Sequence, residues 1–180
     1  GGEESFGFMT GDFVRDKDSC GSILLAAEIG AWCKANGKTI YEYLIDIYKD
    51  LGLYSEGLIN IVKKGRQGAE EIKQMMMDFR NKPVERLASS KVILIKDYQE
   101  QTAWDLLKNE KYPMVDIPKS NVLIYYTEDG SKIAIRPSGT EPKIKFYISV
   151  QGIVNDTDNF NEEMAVLSKK MEIIKHDLGL

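Results

Sequence analysis

The sequence predicts an α+β fold in which an antiparallel sheet is covered on one face by helices, and three observations lead there. From about Leu53 onward the apolar patterns run strand, helix, strands, helix. Within that run, NVLIYYTEDGSKIAIRPSG (121–139) sets an acidic-Gly turn between alternating apolar residues, the short-range signature of a hairpin. The tail DTDNFNEEMAVLSKKMEIIKHDLGL (156–180) spaces Phe160, Met164, Leu167, Met171 and Ile174 at helical intervals.

The elements follow in order. Residues 1–15 read as a loop leading into an extended, hairpin-like stretch. Asp16 to Ser19 then supply capping side chains for a helix, SILLAAEIGAWCKANG, which Gly37 closes. This helix has few charges, which predicts burial on more than one side. Thr39 caps a second helix, TIYEYLIDIYKDLG, with Ile40, Leu44, Ile47, Tyr48 and Leu51 at helical spacing. GLINIVKKG (57–65) reads as a strand, GAEEIKQMMMDFRN (68–81) as an amphipathic helix and SKVILIKDY (90–98) as a second strand. The hairpin comes next, IKFYISVQG (144–152) extends the sheet, and Asp156 or Asp158 caps the last helix. The change of texture divides the chain at residues 1–55 and 56–180.

Bulk properties narrow the function classes. The chain has 180 residues, 43% of them hydrophobic, enough to bury a core. No apolar run approaches the roughly 18 residues of a membrane span, and GGEESFGF has neither the basic nor the apolar region of a secretory signal. The expectation is a soluble, cytoplasmic protein with no membrane partner. A net charge of −4 argues against a nucleic-acid partner, because phosphate-backbone binders carry a basic surplus. Any anion site must therefore be local. Cys20 and Cys33 have no His or Cys neighbours at metal-ligand spacing, and the single histidine is His176, so no metal site is expected and both thiols read as reduced and partly buried.

One turn concentrates donors. In RPSGTEP (136–142) Arg136, Ser138 and Thr140 surround Gly139, and Pro137 and Pro142 stiffen the chain. A phosphate wants several donors converging on its oxygens and a guanidinium that meets two of them. Gly139 would let backbone N–H groups turn toward one point as an anion-binding nest. Lys143 and Lys145 follow on one face of a strand and add positive charge. Composition alone leaves this reading about even with an ordinary polar hairpin connection.

GEESFG (2–7), RDKD (15–18) and RPSGTEP (136–142), in this order, closely resemble the α-D-phosphohexomutase superfamily, the phosphoglucomutases and phosphomannomutases. The resemblance covers essentially the whole chain and implies the end of that family's third domain, a helical remnant of an α/β domain, followed by its fourth. It implies that Glu3 and Ser5 bind sugar hydroxyls, and a carboxylate does accept two such hydrogen bonds. It also implies that Arg136, Ser138, Gly139 and Thr140 hold the substrate phosphate that is not reacting. Lys17 matches a lysine that approaches the reacting oxygen in relatives with the GEESFG form, which makes it the candidate catalytic acid or base. Asp16 and Asp18 would oppose the lowering of its pKa that such a role needs.

The family is a set of isomerases of carbohydrate metabolism that interconvert hexose 1-phosphate and hexose 6-phosphate through a phosphorylated serine and Mg²⁺. This sequence has no Ser-His-Asn-Pro-like stretch and no Asp-Gly-Asp cluster. The expectation is a C-terminal fragment, inactive alone, whose partners are a hexose phosphate and the N-terminal domains of a parent chain, with the magnesium ligands outside these residues. A stand-alone sugar-phosphate or anion-binding module without catalysis is the alternative. A purely structural domain would leave two polar loops without a purpose.

Overall fold

The computed structural model describes residues 1–2, 8–13 and 15–180. Two helices open the chain, α1 (Ser19–Ala35) and α2 (Ile40–Leu51). Asp18 is the N-cap of α1, its carboxylate accepting from the N–H groups of Cys20 and Gly21. Thr39 and Glu42 form a reciprocal capping box on α2.

The sheet then builds around one helix. Strand β1 (Leu53–Val62) leads into α3 (Gly65–Asn81). The short β2 (Arg86–Leu87), β3 (Ser90–Asp97), β4 (Thr102–Asp105), β5 (Glu110–Pro113), β6 (Leu123–Thr127), β7 (Lys132–Pro137) and β8 (Lys143–Gly152) follow, and α4 (Phe160–Asp177) closes the chain. The strand order is β1-β8-β7-β6-β3-β4-β5, antiparallel throughout, with β2 attached to β3. The chain is thus an α+β protein. Strand β1 begins at Leu53, ahead of the division expected between residues 55 and 56.

Alternation explains the layering. Along β8, Ile144, Phe146, Ile148 and Val150 are buried while Lys143, Lys145, Tyr147 and Ser149 stay partly exposed. The buried set joins Ile133 and Ile135 of β7, Ile72 and Met76 of α3, and Leu167 and Ile174 of α4 in one core. The helices therefore cover a single face. Ile45 of α2 enters the same core, and the Tyr48 ring of α2 stacks on Phe160 at 5.7 Å between centroids.

Three expectations need correcting. Helix α1 is mostly exposed, with Ile23 70% and Leu24 61% accessible and only Cys33 buried among its residues, because little beyond α2 packs on it. Cys20 is exposed rather than partly buried, and both thiols are free. Neither Asp156 nor Asp158 caps α4. Asn159 is the N-cap, while Asp156 closes a turn just ahead of it by accepting from the N–H groups of Asp158 and Asn159. Strands β2, β4 and β5 had no counterpart in the sequence reading. Among the described residues, no helix is long and apolar enough to cross a membrane.

Candidate functional site

Strands β7 and β8 are joined by residues 138–142. The Ser138 N–H donates to the Lys143 carbonyl at 2.8 Å and the Lys143 N–H donates to the Glu141 carbonyl at 2.7 Å, so the turn is closed by its own backbone. At its far side the Lys63 N–H, past the end of β1, donates to the Pro142 carbonyl at 2.9 Å. The turn is held from two strands.

On the face of the sheet away from the helices, this turn borders a concavity of about 350 Å³. Its walls include all six residues expected from the sequence to meet a phosphate, Arg136, Ser138, Gly139, Thr140, Lys143 and Lys145, together with Pro137 and Tyr147. The strand register explains the convergence. Arg136 stands directly opposite Lys145, and paired residues project to the same face. Ile135 and Phe146, the next pair along, project into the core.

The charges here are unequally compensated. Lys143 Nζ pairs with Glu141 Oε2 at 2.6 Å, and the hydrogen bond from Lys143 holds the Glu141 carboxyl below its ordinary pKa. Among the described residues, no carboxylate lies within ion-pairing distance of Arg136 or Lys145. The Lys145 ammonium lies over the Tyr147 ring, 5.7 Å from its centroid. Two cations facing each other across a strand pair repel, and a bound anion would relieve the repulsion.

The backbone nest expected around Gly139 is not formed. A nest needs a residue in the left-handed region, and Ser138, Gly139 and Thr140 all lie outside it. Instead the Ser138 Oγ accepts from the N–H groups of Thr140 at 3.4 Å and Glu141 at 3.3 Å. A Cβ placed on Gly139 would meet nothing within 4 Å. A side chain at this position would therefore meet open space.

Lys17 sits apart. It lies in the loop before α1, its Nζ 3.2 Å from Asp16 Oδ1, and it does not line this concavity. Glu3 and Ser5 fall outside the described residues. Sequence reasoning missed Tyr147 and Glu141. Tyr147 was findable, since it continues the every-second-residue alternation that had already grouped Lys143 with Lys145. Among the described residues, no group of three or more His, Cys, Asp or Glu side chains is placed to hold a metal ion.

Comparison with known proteins identifies the family. The family described as phosphoglucomutase/phosphomannomutase, C-terminal domain, matches residues 62–152, which include the whole concavity. A phosphoglucomutase from Staphylococcus epidermidis is 37% identical over 150 residues, covering 83% of this chain and 27% of the relative. One from Staphylococcus haemolyticus is 34% identical over 160 residues, 89% of this chain and 28% of the relative. The crystal structure of the exocytosis-sensitive phosphoprotein pp63/parafusin, a Paramecium phosphoglucomutase in its open form, aligns with a TM-score of 0.53 at 17% identity, covering 98% of this chain and 30% of the other. The chain thus spans about three-tenths or less of the length of these proteins. On the match over 62–152, the chain belongs to the phosphoglucomutase/phosphomannomutase family and contains its C-terminal domain.

Proposed function

We propose that the β7–β8 turn binds the non-reacting phosphate of a hexose phosphate, within a longer mutase that interconverts hexose 1-phosphate and hexose 6-phosphate. The observation supporting this most is the uncompensated pair Arg136 and Lys145, which face one another beside the hydroxyl-bearing residues Ser138 and Thr140. A guanidinium offers two parallel donors to phosphate oxygens, an ammonium adds a point charge, and hydroxyls complete the shell. The pocket volume is in the range of small-ligand sites.

In this reading residues 1–55 and 56–180 belong to two domains of the parent. Glu3 and Ser5 meet sugar hydroxyls and Lys17 serves proton transfer. The apolar residues of α1, including Ile23 and Leu24, are covered by the parent's preceding part. Magnesium would assist phosphoryl transfer in the parent. Among the described residues, no group of three or more His, Cys, Asp or Glu side chains is placed to hold it. The cytoplasm is the compartment proposed for this chemistry.

Titrating the ¹⁵N-labelled chain with glucose 6-phosphate and with glucose tests the reading. The phosphate ester is expected to shift the amide signals of residues 136–145, and the free sugar to leave them in place. The reading fails if both ligands leave those amides unmoved, or if the 180-residue chain by itself turns over glucose 1-phosphate.

A further inference from the structure

A carboxylate beside an anion site is unexpected, and Glu141 is fixed there by its backbone. Its N–H donates to Ser138 Oγ and its carbonyl accepts from the Lys143 N–H at 2.7 Å. These bonds leave its side chain to reach Lys143 Nζ across Pro142. Glu141 does not itself line the concavity, whereas Lys143 does. The carboxylate therefore approaches the ammonium from outside the pocket.

We propose that Glu141 is an internal counter-charge that holds Lys143 back from the ligand, so that Arg136 and Lys145 meet the phosphate and the pocket matches a phosphate monoester dianion. This rests on the reading of the turn as a phosphate site. Three cations and one carboxylate leave a local charge of two, the charge of a fully ionised monoester. A phosphodiester, with a single charge, leaves one cation uncompensated. A pyrophosphate brings more charge than the pocket offers. Lys145 differs from Lys143 in kind, since its partner is the neutral Tyr147 ring, which orients the ammonium without cancelling its charge. Lys143 is then a positioning residue, acting on the ligand through the balance it keeps with Glu141.

The test is a set of amide-shift titrations with inorganic phosphate at about pH 8, where the dianion dominates. Glu141→Gln is expected to tighten phosphate binding about three- to tenfold, as removal of a near-surface like charge would. Lys145→Gln should weaken it tenfold or more, and Lys143→Gln about twofold, on the scale set by charge-assisted bonds and screened charges. In the double variant Glu141→Gln/Lys143→Gln the gain should vanish, which identifies released Lys143 as its source. Glu141→Gln should also improve binding of pyrophosphate more than that of phosphate. The amide spectra themselves report whether each variant stays folded. The proposal is overturned if Glu141→Gln weakens phosphate binding or leaves it unchanged, if its gain survives in the double variant, or if Lys143→Gln costs as much as Lys145→Gln. If the unsubstituted chain fails to bind phosphate at all, the reading of the turn falls and this inference with it. If phosphate binds with any of the first three results, only the inference falls.

Discussion

Two turns leave opposite ends of β7, and they are made of nearly the same residue types. The β6–β7 turn runs Thr-Glu-Asp-Gly-Ser (127–131) and the β7–β8 turn runs Ser-Gly-Thr-Glu-Pro (138–142). In the first, the anion is built in. Asp129 Oδ1 accepts from the hydroxyls of Thr127 at 2.7 Å and Ser131 at 2.9 Å and from the Ser131 N–H at 3.2 Å, and Oδ2 meets Lys170 of α4 at 2.8 Å. Gly130 at φ +82 supplies the left-handed step that closes it. The second turn has hydroxyls of its own, but its N–H groups at Thr140 and Glu141 turn to Ser138 Oγ, and among the described residues Arg136 and Lys145 have no carboxylate within ion-pairing distance. The difference teaches that turns of similar composition can either enclose an anion of their own or leave cations without one, and the second arrangement is what the proposed phosphate site rests on.

The largest effect should come from removing Arg136, one of the two cations without a carboxylate partner among the described residues. Arg136 is exposed, so Arg136→Ala should cost under about 0.5 kcal/mol of stability. It should remove a charge-assisted, bidentate contact worth about 1.5 to 3 kcal/mol, or roughly 10 to 150-fold in sugar-phosphate affinity. Titration calorimetry alongside thermal melts separates the two effects. An unstable variant whose folded fraction still binds normally would make Arg136 structural and erase the contrast between the turns.

The reverse pattern is expected at Asp129. Burial alone would raise its pKa, but the hydrogen bonds from Lys170, Thr127 and Ser131 outweigh that and hold the carboxyl well below the usual range. Because about a third of the side chain faces solvent, the low end of the charge-assisted range applies, and Asp129→Asn should destabilise by about 1.5 kcal/mol near neutral pH. Phosphate binding should be unaffected. The sign of the pH dependence follows from a depressed folded-state pKa. The contribution is present above the unfolded value of about 3.9 and is lost as pH falls through that value toward the folded one. The stability gap between the original chain and the variant in urea denaturation should therefore begin to narrow below about pH 4 and close only as pH approaches the depressed folded-state value. A gap that stays constant with pH would show that the ionised carboxylate is not what stabilises the turn.

How far the sequence reaches differs between the two turns for the same reason. The hairpin β6–β7, the alternation of β8 and the caps at Asp18 and Thr39 were legible because each depends on residues adjacent in the chain. Strands β4 and β5 were not, because TAWD and EKYP are too short for a period and owe their pairing to one another and to β3. The exposure of α1 was misjudged because burial depends on what lies alongside, which an apolar run does not specify. At the site, Arg136, Ser138, Thr140, Lys143 and Lys145 could be read from one local run. The pairing of Arg136 with Lys145 and the attachment of Lys143 to Glu141 required the register. The nest was wrongly inferred at Gly139, because glycine permits a left-handed conformation without requiring one.

Gly139 gives the smallest and sharpest test of the comparison. Gly130 and Gly139 sit in turns of similar composition, yet a Cβ on Gly130 would come within 2.6 Å of Gln151 Oε1 and would be strained by its positive φ, whereas one on Gly139 would meet nothing within 4 Å. Gly139→Ala should thus leave stability unchanged or raise it by about 0.4 to 1 kcal/mol through the unfolded chain, as alanine does where the backbone already suits it. Gly139 lines the concavity, and under the proposed reading a methyl there crowds the ligand. Sugar-phosphate affinity should fall while the melting temperature holds or rises. A melting temperature that drops, with affinity preserved, would mean that the glycine serves the turn and not the ligand, and the β7–β8 turn would then join β6–β7 as a structural one.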